Sequence, residues 1–427
     1  MEQLVMWSDN EASIDLLRFK SLASIVTQVV KTESLLPTTI GVYGDWGSGK
    51  STLLKMVERE FQTDDGIMNL TFNGWLFEGY EDAKTALMGT ILDAIQERIE
   101  GDKNLIEKSG DLIKKLLGRV SWMQALGLIG KYGLPLLLGM PQLAAISAAK
   151  DVSDMMKSEP VDPEDLAKIL KVTPTELQEI RRDIRDFRKD FKELLDQAEI
   201  RTLVVFIDDL DRCLPDTIIA TLEAIRLFLF VPKTVFILGA DERLVEYAVR
   251  NRFPALPGTE REVGRDYLEK LVQIPIRIPP LSGSEIESYM NLLFAEKCLT
   301  AEQYVTMCGR LSEVAVTDVL ARTFDIESAR RLMPDKVSEL ETDLDLNAQI
   351  VPILSPGLGG NPRRTKRFLN TLILRMSLSK ERGLNLEKRV LVKLMILEYM
   401  KPVFFKELAN LQIQQEGKPV ELANVER

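Results

Sequence analysis

Gly44-Asp45-Trp46-Gly47-Ser48-Gly49-Lys50-Ser51 is the stretch on which the fold turns. It fits Gly-x4-Gly-Lys-Ser, the pattern of a phosphate-binding loop, and its flanks suit that reading. A strand-like run, Thr39-Ile-Gly-Val-Tyr43, leads in, and a helix-like run, Thr52-Leu-Leu-Lys-Met-Val-Glu-Arg-Glu60, leads out. Glycines let the backbone wrap a polyphosphate without Cβ clashes, so that its amide N–H groups face the oxygens. Lys50 is placed to neutralise the β and γ phosphates, and Ser51 to hold Mg²⁺. The new helix adds the positive end of its dipole. The nucleotide-contacting stretch is therefore Gly44, Asp45, Trp46, Gly47, Ser48, Gly49, Lys50, Ser51 and Thr52.

Four strand-like runs follow. Ile67–Phe72 comes first, then Thr202–Ile207, Thr234–Leu238 and Gln273–Ile278 with helical patterns between them. This alternation implies a parallel α/β sheet of the doubly wound type. Leu203-Val-Val-Phe-Ile207 is continuously apolar, as a strand buried on both faces should be. It ends in Asp208-Asp209-Leu210-Asp211-Arg212. Asp208 is expected to bind Mg²⁺, directly or through a water ligand, and Asp209 to orient and deprotonate an attacking water. Asp211 is a second candidate for that base. The competing reading makes Asp209 and Asp211 helix-capping or ion-paired acids near Arg212. Asp241, at the end of the next strand, stands where it could sense the γ-phosphate. It could equally cap the helix that starts at Glu242.

Two arginine groups invite a phosphate role. Arg261 and Arg265 precede the last strand, where an arginine can reach a neighbouring subunit's nucleotide; Glu269, four residues on, offers Arg265 a surface ion pair instead. Pro362-Arg-Arg-Thr-Lys-Arg367 packs four cations into six residues at the start of a helix. Arg363, Arg364 and Arg367 could close over a nucleotide, or the cluster could meet an acidic partner or nucleic acid.

The 427 residues are 45% apolar and 28% charged, ordinary values for a globular chain with room for two domains. A net charge of −10 argues against non-specific nucleic-acid binding by the whole surface. The chain contains no histidine. Catalytic triads that need histidine, histidine-ligated metals and imidazole bases are thereby excluded. The three cysteines, Cys213, Cys298 and Cys308, fit neither a disulfide framework nor a zinc site. With an acidic N-terminus and no secretory signal, they point to a cytoplasmic protein.

The expected organisation is a helical lead-in over 1–38, a phosphate-loop domain over 39–282, and an all-helical domain over 283–427. A helical and apolar insertion occupies about 98–198. Within it, Val120–Ala149 is rich in Leu, Gly, Ala and Met, with Lys131 its charge near the middle and Pro135 and Pro141 interrupting it. It suits a buried or surface-lying helical hairpin better than a membrane span, which needs about 20 mostly apolar residues. Ile180–Phe191 reads as an amphipathic helix carrying opposite charges. The stretch Ser355–Pro362 reads as a turn-rich break between helices.

Several segments together resemble the KAP family of P-loop NTPases, within the wider STAND-like ATPases. They are Gly41–Leu54, Phe72-Asn-Gly-Trp-Leu-Phe-Glu78, Phe206–Cys213, Asp266–Pro275 and Asn361-Pro-Arg-Arg-Thr-Lys-Arg-Phe-Leu-Asn370. The resemblance implies ATP binding and hydrolysis with Mg²⁺, assigned to Lys50, Ser51, Asp208 and Asp209, and a nucleotide-sensing arginine from Arg363, Arg364 or Arg367. It also implies a place in bacterial anti-phage defence; the partners expected beside ATP are proteins of a multi-component complex and further copies of the chain. Family members commonly carry membrane segments between the two nucleotide motifs. Here about 160 residues separate Lys50 from Asp208, far beyond a βαβ unit of ~30. Two other functions compete with a regulatory ATPase: a nucleotide-gated scaffold with little turnover, and a small-molecule kinase.

Overall fold

The computed structural model describes residues 6–10, 14–77, 83–125, 174–228, 231–252, 263–317 and 323–417. Five strands form one sheet: β1 (Thr38–Tyr43), β2 (Ile67–Asn73), β3 (Thr202–Asp208), β4 (Thr234–Ala240) and β5 (Ile274–Arg277). All pairings are parallel and the order is β2-β3-β4-β1-β5. The register sets Thr38 beside Val235, Ile40 beside Ile274, Asn73 beside Asp208 and Ile207 beside Leu238.

Position in the sheet explains the composition of each strand. The central strands β1 and β4 are buried at every residue, and β3 at all but Asp208. That is why they read as unbroken apolar runs. The edge strand β5 alternates between half-buried and exposed residues. Helix Lys50–Phe61 buries Leu53, Leu54, Val57 and Phe61, one stripe of a 3.6-residue period, and Ala83–Ile99 buries Leu87, Ile91, Ile95 and Ile99 likewise. The chain breaks at Gly101 and continues as helix Lys103–Ala125, which runs through Gly110 without interruption.

The charged helix Pro174–Gln197 is more than a solvated face. It buries Phe187 and Phe191, whose rings lie 5.7 and 5.0 Å from that of Phe228 and 5.8 Å from each other. Its Asp190 pairs across to Lys115 at 2.9 Å and Arg119 at 3.3 Å on Lys103–Ala125. Of the apolar segment 120–149, residues 126–149 lie outside the described residues, as do Arg261 and residues 418–427. Among the described residues no helix is long and apolar enough to cross a membrane.

The chain divides into two compact units: Phe19–Trp46 with Lys50–Ile278, and Met1–Arg18 with Gly47–Gly49 and Pro279–Arg427. The lead-in expected over 1–38 is thus shared between them. Helix Lys20–Lys31 belongs to the sheet unit. Trp7 belongs to the helical unit, where Asn370 bonds both its backbone N–H (3.0 Å) and its carbonyl (2.8 Å). Trp7 also meets Phe294 edge-on at 5.8 Å.

In the helical unit, Gly283–Cys298 opens with a capping box formed by Ser282 and Glu285. The break expected over Ser355–Pro362 is shorter than its composition suggests. Helix Val337–Leu358 runs through Pro352 and Pro356, and ends at Gly359, whose φ of 60° is left-handed. Both prolines are exposed while Val351, Leu354 and Leu358 are buried. The buried stripe holds the helix together, and solvent takes up the carbonyls that proline leaves without a donor.

The next helix, Pro362–Glu381, begins at Asn361, whose Oδ1 accepts the N–H groups of Arg363 and Arg364, each at 3.1 Å. Pro362 at the first helical position gives up an N–H that has no intrahelical partner. Asn361→Ala should lower the unfolding free energy by about 1–2 kcal/mol, the usual worth of an N-cap. A urea titration followed by circular dichroism checks this, and an unchanged midpoint would contradict it.

Candidate nucleotide site

The loop after β1 takes the shape its glycines permit. Gly47 and Gly49 have φ of 83° and 101°, left-handed values that side chains resist. Helix Lys50–Phe61 then starts at once. The Ser48 hydroxyl is buried with no hydrogen-bond partner among the described residues. A buried hydroxyl in that state is costly unless a ligand completes it.

Lys50 is nearly buried. Its ammonium donates to the carbonyl of Gly44 at 3.0 Å and lies 3.4 Å from that of Asp45. It also forms an ion pair with Asp211 at 3.0 Å, both side chains being less than a tenth exposed. Asp211 in turn accepts the backbone N–H of Asp241 at 3.1 Å. Asp211 is therefore turned toward the phosphate loop, ion-paired with Lys50 and not with Arg212.

Asp208 leaves the end of β3, and its Oδ1 accepts the Asp209 backbone N–H at 2.9 Å. Burial pushes its carboxyl above the usual carboxylate range, and the Ser51 hydroxyl and the Asp209 N–H oppose that shift. Gly239 on β4 leaves space for it: a Cβ there would stand 2.9 Å from Asp208 Oδ1 and 2.7 Å from Leu54 Cδ1. The donor set at this point is one carboxylate and one hydroxyl, both hard oxygens. Among the described residues no group of three or more Asp, Glu, Cys or His is placed to hold a metal by itself. Two protein oxygens suit Mg²⁺, which keeps several waters and takes its remaining ligands from phosphate.

Asp209 faces elsewhere. Its backbone is left-handed, with φ of 57°, an uncommon state for a residue with a side chain. Its carboxylate accepts from Asn73 Nδ2 at 3.0 Å and pairs with Arg212 Nε at 2.9 Å. Asn73 ends β2, the edge strand beyond β3, so Asp209 is drawn to the side of β3 away from β4 and β1. The Asn73 side-chain Oδ1 accepts the Trp75 N–H at 3.1 Å, and the Arg212 guanidinium lies 6.0 Å from the Trp75 ring centroid.

Asp241 does cap its helix, accepting the Arg243 N–H at 3.1 Å. Its carboxylate also takes Arg243 Nε at 3.0 Å and Nη2 at 2.7 Å. Those hydrogen bonds hold it below the usual carboxylate range, against its burial. Arg243 Nη2 reaches Asp45 Oδ1 as well, at 2.8 Å. The structure thus gathers Asp45, Lys50, Ser51, Asp208, Asp211 and Asp241. It adds Arg243, Asn73 and Arg212, which motif reading alone does not single out.

Of the remaining arginines, Arg363 meets the phosphate loop through its backbone N–H, 3.4 Å from the Gly47 carbonyl. Arg265 pairs with Glu269 at 3.3 Å, both exposed. Arg363, on Pro362–Glu381 in the helical unit, pairs with Asp9 at 2.9 Å. Arg364 and Arg367 are exposed on the same helix.

The model of the KAP family P-loop domain matches residues 19–378. An uncharacterized protein of the archaeon Methanocaldococcus jannaschii is 26% identical over 179 residues, which is 40% of this chain and 86% of that one.

Proposed function

Since the chain belongs to the KAP family of P-loop domains, whose phosphate loop implies nucleotide binding, we propose that it is an ATPase that acts with Mg²⁺. In this reading, conformational change during turnover regulates protein partners. The observation that carries it is the ion pair between Lys50 and Asp211, at 3.0 Å. It joins the first turn of the phosphate-loop helix to the acids that follow β3, which is the pairing that metal-assisted phosphoryl transfer needs.

Each residue has a distinct task in this reading. Lys50 exchanges Asp211 for phosphate oxygens. Gly44 to Thr52 present backbone N–H groups and the Ser48 hydroxyl. Ser51 and Asp208 hold Mg²⁺, which would neutralise charge on the phosphates. Asp209 positions and deprotonates water, with Asp211 the alternative base. Asp241 fixes the start of its helix, and Arg363, Arg364, Arg367 and Arg265 are candidates for nucleotide-sensing cations. The partners proposed are proteins of a bacterial anti-phage defence complex, a setting that rests on family resemblance.

One observation favours a second reading, a nucleotide-gated scaffold with little turnover. Both carboxylate oxygens of Asp209 are engaged, one by Asn73 and one by Arg212. Phosphate release and oligomeric mass, measured with Mg²⁺–ATP, with a non-hydrolysable analogue and without nucleotide, separate the two. The ATPase reading expects steady phosphate release, and a mass that differs between ATP and analogue. No release, with equal assembly under both nucleotides, would establish the scaffold instead.

A further inference from the structure

The phosphate loop contains an acid where it is to receive an anion. Asp45 follows the first glycine of the motif, and its carbonyl lies 3.4 Å from the Lys50 ammonium. A carboxylate carried on a loop that wraps a polyphosphate repels it, and repulsion between unit charges falls off only as the inverse of distance. Three more carboxylates, Asp208, Asp211 and Asp241, belong to the same group, while Lys50 and Arg243 are its cations. Lys50 is committed to Asp211 at 3.0 Å.

We propose that Arg243 is a positioning residue of the nucleotide site, one that cancels the charge of Asp45 and holds its carboxylate off the incoming phosphates. The inference rests on the reading of this loop as the nucleotide site, and it deepens that reading. Arg243 Nη2 stands 2.8 Å from Asp45 Oδ1. Asp241 aims the guanidinium from behind with two further bonds, at 3.0 and 2.7 Å. Asp241 is itself buried, and its backbone N–H holds Asp211, the partner of Lys50. Arg243 therefore closes a ring that runs Lys50, Asp211, Asp241, Arg243, Asp45 and back to Lys50.

An ordinary surface ion pair does not account for this arrangement well. The Arg243 side chain is 70% exposed, and exposed pairs contribute little to stability. Such a contact leaves its mark on the charge met by a ligand rather than on folding. Lysine at the same position keeps the charge but loses the two-pronged grip on Asp241.

The test is calorimetric titration of Mg²⁺–ATP into the full chain and into five variants. Arg243→Gln should weaken binding about tenfold at low salt, less at 0.5 M salt where exposed charges are screened. Its melting temperature should fall, because buried Asp241 loses its bonds from Arg243, so affinity is read well below the unfolding transition of every variant. Asp45→Asn in the Arg243→Gln background should restore affinity to within about threefold, and Arg243→Lys should retain most of it. Asp45→Asn alone should bind at least as tightly as the parent. Parent-like affinity in Arg243→Gln, or no recovery in the double variant, would overturn the proposal while leaving the site intact. A parent that binds no ATP, or binds it equally well with Lys50→Ala, would overturn the reading of the site and this inference with it.

Discussion

Lys50→Ala is expected to lower ATP affinity about 100-fold or more and to abolish phosphate release. The lost ammonium would make at least two charge-assisted hydrogen bonds to phosphate, each worth roughly 1.5–3 kcal/mol. The same change strands Asp211, a carboxylate that is buried and faces Lys50 at 3.0 Å. Removing one member of a buried pair costs about 3–5 kcal/mol, because the other is left charged and unpaired. The single variant should therefore melt at a lower temperature than the parent. Lys50→Ala with Asp211→Asn should recover much of that stability and none of the ATP binding. Calorimetry for affinity, with thermal unfolding beside it, reads the two effects separately. Parent-like ATP affinity in the single variant would remove Lys50 from the nucleotide site.

Asp209→Asn is expected to leave ATP affinity within about threefold of the parent and to lower turnover by about 10²–10⁴, the span associated with loss of a general base. Asparagine keeps the size of the side chain and one acceptor oxygen for Asn73, but loses the charge that faces Arg212. The structure makes Asp211→Asn the necessary companion, since Asp211 is the acid turned toward Lys50. Single-turnover phosphate release decides between them. Turnover that survives Asp209→Asn and fails in Asp211→Asn would transfer the role of base to Asp211, and leave Asp209 as the anchor of the Asn73–Arg212 contacts.

Much of the sheet was legible because its strands are buried on both faces. Apolar runs at Thr39–Tyr43, Thr202–Ile207 and Thr234–Leu238 lie within observed strands, and each observed strand extends one or two residues further. The phosphate loop was legible because its glycine spacing answers a local steric demand. Contacts between segments were harder to read. Nothing in Ala240-Asp241-Glu242-Arg243 reveals that its arginine meets Asp45, some two hundred residues earlier, because a single long side chain carries no periodic signal. The prolines at 352 and 356 misled for a related reason. Their cost is local and visible in sequence, whereas the burial of Val351, Leu354 and Leu358 that offsets it depends on neighbours elsewhere in the chain.

The strand order has a consequence for how the protein comes into being. β1 and the phosphate loop emerge early in synthesis, but both neighbours of β1 come late: Thr38 pairs beside Val235 and Ile40 beside Ile274. Such long-range pairings are slow to form and require most of the chain to be present. A nascent chain that has reached only residue 230 carries the full phosphate-loop motif with neither supporting strand. Chain order therefore delays the grip on nucleotide until the ribosome has passed β5, so that an incomplete polypeptide has no framework with which to engage it.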